Sequence, residues 1–394
     1  DLLEGFAQLF GGLSGGLAYA VIIVGAILGA ITGTVAASVI AMGVIALPVM
    51  IRYGYNPRLA TGVIAASGTI TQVIPPSLVL IVLADQLGKS VGDMYLGAIG
   101  PSIAQILIFI TFIMLISWFN PKLMPPQPKE LRTTMGWPLV KKMMHGILPS
   151  LGLIFIVLGT IFMGLATPTE AGAMGVAGAI GLALLQRRFS WIMLWQGMDA
   201  TMRVTVMVIF ILIGASVFTL VFQGVDGGVW VEHLFRVAGA DDPVSFLIAV
   251  NIIIFILAFF LDFFEIAFIV IPLLAPIATS LGIDLIWFGV LICVNMQTSF
   301  MHPPFGFALF YLRGIAPKSI LSSDIYLGAL PWVGLQLLLV LLLIFFPEMV
   351  TGLLDKPVTS DLQNIEILLD PSMNESDASL QRPVDDPADY FKKK

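Results

Sequence analysis

Apolar residues run in seven long stretches, at 58–84, 93–118, 144–165, 168–186, 201–223, 285–312 and 324–349. Each reaches or approaches the ~20 residues a helix needs to cross the hydrocarbon core of a bilayer, so the pattern predicts a membrane-spanning helix for each. Two further apolar regions, 16–51 and 244–281, are too long for one crossing and too short for two. The first breaks at Thr32-Gly33-Thr34 and the second at Leu261-Asp262-Phe263. Each is therefore predicted to form a re-entrant hairpin, two half-helices that meet near the midplane and return to the side of entry. Unwound backbone at that depth needs protein or a polar cavity around it.

The two regions repeat each other. At an offset of 228 residues Pro48 falls on Pro276, Pro75-Pro76 on Pro303-Pro304, and the break at 32–34 on 260–262. At an offset of 231, Asp93 to Ala98 meets Asp324 to Ala329 with five of six residues identical. Five spans lie between the hairpins, an odd number, so the halves are oppositely oriented. An inverted repeat with broken helices points to a secondary transporter. The predicted fold class is an all-α polytopic membrane protein with two re-entrant hairpins and two discontinuous helices.

Composition agrees. Of 394 residues, 58% are apolar and 11% charged, and the mean hydropathy is +0.99. The net charge of −6 belongs mostly to the end of the chain, because Glu348 to Lys394 holds ten acids against five bases. A nucleic-acid footprint is not implied. The lone Cys293 excludes a disulfide framework within the chain. The opening residues Asp1, Leu2, Leu3 and Glu4 lack a basic signal region and an initiator Met, so 1–15 is expected to be the remnant of a longer N-terminal region.

Loop charge orients the helices. Lys122, Lys129, Arg132, Lys141 and Lys142 oppose only Glu130 in 119–143, which is expected to be a cytoplasmic loop. Arg187 and Arg188 return to the same side two spans later, whereas 224–243, with Asp226, Glu232, Asp241 and Asp242, is expected to be a periplasmic loop. Arg52 and Arg58 place the mouth of the first hairpin inside, and the count places that of the second outside. The predicted organisation is a first repeat at 16–118, scaffold spans at 144–223, a second repeat at 244–349 and a polar, mobile tail at 350–394.

The candidate chemistry follows the hairpins. Ser67 to Pro76 and Asn295 to Pro304 each interrupt a span with polar residues and a proline pair. Proline removes a backbone donor and breaks the helical ladder, leaving carbonyls free. A hard cation such as Na⁺ takes oxygen ligands. Thr32, Gly33, Thr34, Ser67, Gly68 and Thr69 are expected to frame one cation site, and Asp262, Asn295, Thr298 and Ser299 its counterpart. Half-helix N-termini at the tips carry partial positive charge for a carboxylate, with Thr32, Thr34, Ser38, Gln72, Asp262 and Gln297 as candidate substrate contacts. The competing role for each hydroxyl, Thr71 included, is to bond a carbonyl of its own helix. Glu265 can serve as a fixed structural group, and Glu170 reads as the acid of a capping box with Thr167. His145, His233 and His302 are dispersed without metal-ligand spacing, and His302 beside Pro303 reads as a packed histidine.

Residues 15–38 and 58–77 resemble the first hairpin and following span of the large membrane subunit of tripartite ATP-independent periplasmic (TRAP) transporters, and 260–266 and 295–314 resemble the matching second-half motifs. The detail is most similar to the mannitol, chloroaromatic and 2-oxo acid branch, and the resemblance covers roughly 5–350. It implies an elevator transporter of the bacterial inner membrane, driven by Na⁺ without another cofactor, which carries an organic anion. It also implies two partners, a small four-helix membrane subunit and a periplasmic substrate-binding protein. Two departures stand out: the initial helices of the family are missing, and Thr32-Gly33-Thr34 replaces the Ser-Gly-Ser of many members. A divalent-anion sodium symporter, which needs no binding protein, is the nearest alternative. An intramembrane aspartyl protease would need two facing aspartates, and only Asp262 lies deep enough. A channel fits paired re-entrant breaks less well than alternating access does.

Overall fold

The computed structural model describes residues 2–128, 137–303 and 306–354. Lys129, Arg132, Pro304 and the predicted tail from 355 onward lie outside the described residues. Among the described residues every regular element is a helix, and six helices are long and apolar enough to cross a membrane.

A short helix α1 (Leu2–Leu9) precedes the first hairpin, α2 (Gly16–Thr32) and α3 (Val35–Arg52). The break falls where the sequence places it. Gly33 has φ 60°, a left-handed conformation open to glycine, and its N–H closes α2 on Gly29 O at 3.0 Å. Asn56 then caps α4 (Pro57–Thr69), with Pro57 in the first turn where its missing N–H costs nothing. The helix tightens into a 3₁₀ turn at Ile70–Gln72 and stops before Pro75-Pro76, and α5 (Leu78–Gln86) restarts from the Ser77 cap. The long α6 (Val91–Phe119) follows.

The second half has the same order. Helix α11 (Pro243–Leu257) starts at the Asp242 cap and α12 (Phe263–Ser280) contains a π turn at Ile266–Val270. Helix α13 (Leu285–Met296) runs into a 3₁₀ turn at Gln297–Met301, then come α14 (Phe307–Ile315), α15 (Ser322–Phe345) and α16 (Glu348–Thr351). Between the halves lie α7 (Trp137–Phe162), α8 (Pro168–Leu185), α9 (Trp191–Gly224) and α10 (Gly227–Val237).

Four boundaries differ from the sequence reading. Lys141 and Lys142, expected in a loop, lie within α7. Helix α9 begins at Trp191 rather than 201, because Asp199 and Arg203, which interrupt the apolar run, pair one turn apart at 2.8 Å. The acidic loop at 224–243 contains α10. The arms of the first hairpin have 17 and 18 residues, roughly 26 Å of helix at 1.5 Å per residue, so they are longer than half-helices.

The buried core is built by α2–α6 and α11–α15, and α8 and α9 face outward. Only 6% of the apolar window of either α8 or α9 is buried, against 50% for α15. Close approach in the core relies on small residues. Gly25 and Gly29 of α2 lie over Ser67 and Thr71, and Gly62 of α4 meets Gly328 of α15. Any side chain at these four positions would strike a neighbour.

Candidate functional site

The first hairpin and the first interrupted helix share a line of hydroxyls. Thr32 Oγ1 lies 2.8 Å from Ser38 Oγ, and Thr71 Oγ1 lies 3.1 Å from Ser38 Oγ and donates to Gly68 O at 2.7 Å. Behind them Ser67 donates to Ile64 O at 3.0 Å and Thr69 to Ala66 O at 2.9 Å. These are the within-helix bonds expected of hydroxyls in apolar helices, yet each such hydroxyl keeps acceptor lone pairs. Gly68 packs on Val39, which brings the turn against α3. Thr34 starts α3 without a side-chain cap, so the amides of that first turn receive nothing from it. Gln72 is buried, with Oε1 unpartnered, and its carbonyl accepts from Ser77 Oγ and from Cys293 Sγ at 3.3 Å.

The second tip is built differently. Asp262 caps α12, its Oδ1 accepting from Phe263 N at 2.7 Å, and Glu265 Oε2 accepts from Asp262 N at 2.9 Å. This capping box uses both carboxylates at the very N-terminus that the sequence reading offered to an anion. A cavity of about 250 Å³ nevertheless brings Asp262, Glu265 and Ser299 together beneath Phe259, Phe260 and Phe307. Thr298 and Ser299 donate to Asn295 O and Met296 O, each at 2.7 Å. Asn295 Nδ2 reaches Asn251 O at 2.8 Å, leaving its own Oδ1 buried and unpartnered. His302 is packed, with its ring stacked 4.1 Å from that of Phe259. Thr167 and Glu170 form the expected capping box on α8.

Thr32 and Gly33 also line a cavity of about 420 Å³ whose far wall is α7 and α8, through Leu153, Val157 and Gly172 among others. Thus the first tip faces the middle helices, while the second tip, Ser299 and Phe307 enclose a space of their own.

Between the two interrupted turns stand side chains that sequence reasoning missed. Gln336 of α15 reaches Thr69 Oγ1 at 3.1 Å and Gln297 Oε1 at 3.2 Å, and Gln297 donates to Gln105 of α6 at 3.0 Å. The 231-residue register that aligns Asp93 with Asp324 also aligns Gln105 with Gln336, which is the signal that would have found them. Asn251 falls opposite Ile23 at the 228 offset and leaves no such trace.

Residues 1–349 match the family model described as Tripartite ATP-independent periplasmic transporter, DctM component. The C4-dicarboxylate TRAP transporter large permease protein DctM of Vibrio cholerae is 31% identical over 336 residues, which cover 80% of this chain and 72% of that protein. The 2,3-diketo-L-gulonate TRAP transporter large permease protein YiaN of Escherichia coli K12 is 26% identical over 314 residues, covering 79% and 71%. The sialic acid TRAP transporter permease protein SiaT of Haemophilus influenzae is 27% identical over 311 residues, covering 79% and 49%.

Proposed function

This chain belongs to the DctM-component family of tripartite ATP-independent periplasmic transporters, and on that premise we propose that it couples inward movement of Na⁺ to uptake of a small organic anion bearing a carboxylate. It is a multi-pass inner-membrane transport subunit, not an enzyme. Nothing in the match over 1–349 favours the binding-protein-independent symporter. As the large permease it works with a small membrane subunit and with a periplasmic protein that delivers the substrate. The relatives named for C4-dicarboxylate, 2,3-diketo-L-gulonate and sialic acid support an acid as cargo.

The observation that carries this reading is the gathering of oxygen donors at the interrupted turns. Ser67, Thr69, Thr298 and Ser299 each donate to a carbonyl of their own helix, which leaves acceptor lone pairs on the hydroxyls. A hard cation meets such oxygens without any protein group having to ionise. Asp262 beside Ser299 adds the charge at the second turn. The substrate carboxylate then belongs at the first tip, near Thr32, Gly33 and Ser38, where the start of α3 lacks a side-chain cap. Residues 16–118 and 244–349 form the moving part and α7–α9 the fixed part, with Lys129 on the cytoplasmic and Asp241 on the periplasmic side.

Uptake into proteoliposomes that contain both membrane subunits, with and without Na⁺ and the binding protein, tests the reading. Thr69→Val and Thr298→Val preserve shape and remove one oxygen, so each should raise the Na⁺ concentration for half-maximal uptake. Wild-type Na⁺ dependence in both variants would remove these side chains from the cation sites. A crosslink between positions 32 and 157, across the cavity they share, should arrest uptake; full transport after complete crosslinking refutes sliding of the hairpins past α7.

A further inference from the structure

Three glutamines on an apolar background are unexpected. Gln105, Gln297 and Gln336 are each at most 1% exposed, as is Thr69, and burying an amide is unfavourable unless it is hydrogen-bonded. Two of the three make a reciprocal amide pair: Gln297 Nε2 donates to Gln105 Oε1 at 3.0 Å and Gln105 Nε2 returns the bond at 2.5 Å. Gln336 Nε2 sits between Thr69 Oγ1 at 3.1 Å and Gln297 Oε1 at 3.2 Å. Apolar side chains of the same volume would fill this space without the desolvation cost.

The connectivity explains what the amides add. Gln105 and Gln336 are equivalent positions of the two halves, and each reaches across to the other half. Gln105, on α6, bonds the second interrupted turn at Gln297; Gln336, on α15, bonds the first at Thr69 and touches the second as well. Thr69 already gives its proton to Ala66 O. With Gln336 donating to one lone pair, a single lone pair of that hydroxyl is left, pointing in a fixed direction. Simple helix-to-helix adhesion needs none of this crossing.

We propose that Gln105 and Gln336 are positioning residues, a cross-tie that holds the turns at Ser67–Thr69 and Gln297–Ser299 in one register, so that a cation at one turn sets the affinity of the other. The proposal rests on the cation reading above. Neither glutamine touches the ion; each acts through Thr69 or Gln297.

Na⁺ alone is a sufficient probe. The purified full chain is titrated with NaCl against KCl at constant ionic strength, and the apparent melting temperature is followed, since a ligand that binds the folded state raises it. The wild type should titrate with a Hill coefficient above one. Gln336→Met, close to the original in shape, should move the Na⁺ midpoint up about tenfold and bring the Hill coefficient to about one. Gln105→Met should act in the same direction from the other half, and the double variant should add little to either, because both break one tie. A purely structural role predicts lower melting without Na⁺ but wild-type midpoint and slope, and that result in the two single variants overturns the proposal. Should Gln336→Met not fold, Gln105→Met decides alone. A wild type that ignores Na⁺ is a different failure, which sinks the cation reading and the proposal with it.

Discussion

Gly62→Ala should be among the most damaging single-methyl changes in the chain. Helices α4 and α15 cross there with backbone nearly touching backbone: a Cβ at Gly62 would lie 2.6 Å from Trp332 Nε1 and 2.8 Å from the carbonyl carbon of Gly328. Ordinary contact begins near 3.4 Å. Neither neighbour is free to move away, since one is main chain and the other is a buried indole packed against Phe109 at 4.9 Å. The Gly328 carbonyl oxygen is nearer still, so the helices must part by roughly 1 Å, an overpacking that costs about 1–3 kcal/mol. Thr69 and Gln336 lie two turns along the same two helices, so a rigid parting would stretch their 3.1 Å bond to about 4 Å, beyond hydrogen-bond range. Gly334, on the same helix α15, has open space where its Cβ would stand. Gly334→Ala should therefore be neutral, or more stable by up to ~1 kcal/mol from helix propensity. Thermal unfolding of the two variants in the same lipid or detergent separates the cases: Gly62→Ala should melt several degrees below wild type and Gly334→Ala at or above it. Equal melting of Gly62→Ala and wild type would refute the close crossing and, with it, the geometry assigned to Gln336.

Arg58→Ala removes the 2.9 Å ion pair with Asp324 that links the starts of α4 and α15. Because the Arg58 side chain is 55% exposed, the loss should stay under about 1 kcal/mol and shrink further in high salt; a melting drop as large as that of Gly62→Ala would contradict it. Asp242 makes a pH-dependent cap at the start of α11. The Ser245 side chain first, then the backbone N–H groups of Ser245 and Val244, hold its carboxyl below the usual carboxylate range. The stabilisation is complete above the ordinary value of ~3.9 and is lost as pH falls through the lowered folded value. Hydrogen-exchange protection of the Val244 and Ser245 amides should follow that course, and protection unchanged to pH well below the ordinary value would show that the cap does not hold the helix start.

The order of hairpin, interrupted helix and long helix in each half was legible because each boundary has a local cause. Gly33 supplies a left-handed backbone, the proline pair stops a helix, and Asn56, Asp242 and Asp284 cap the helices after them. The ends of α7, α9 and α10 were less legible because charge was read as loop. Asp199 with Arg203 and Glu232 with Arg236 are pairs one helical turn apart, at 2.8 Å each. Paired in this way, charged residues extend a helix rather than end it. Hydropathy summed along a window cannot distinguish those two situations.

The site divides along the same line. Hydroxyls at 67, 69, 298 and 299 stand out in sequence because they precede a proline pair, and the structure sets Ser67 and Thr69 at the end of α4, just before its 3₁₀ turn, and Thr298 and Ser299 on the 3₁₀ turn that follows α13. Their connection does not stand out, since a glutamine inside an apolar helix identifies no partner by itself. Gln105 and Gln297 are 192 positions apart, and Gln336 and Thr69 are 267. Only the internal repeat shortens that distance, and it does so in two registers, 228 for the hairpins and 231 for the long helices. The three extra residues of the second half fall between the proline pair and Asp324, in the stretch that leads into α15. Gln336 reaches the first turn as Gln105 reaches the second, and Gln336 also touches Gln297, while Gln105 has no counterpart bond to Thr69 among the described contacts. Gln336 is in contact with both turns, which makes it the member whose loss should be felt in both halves.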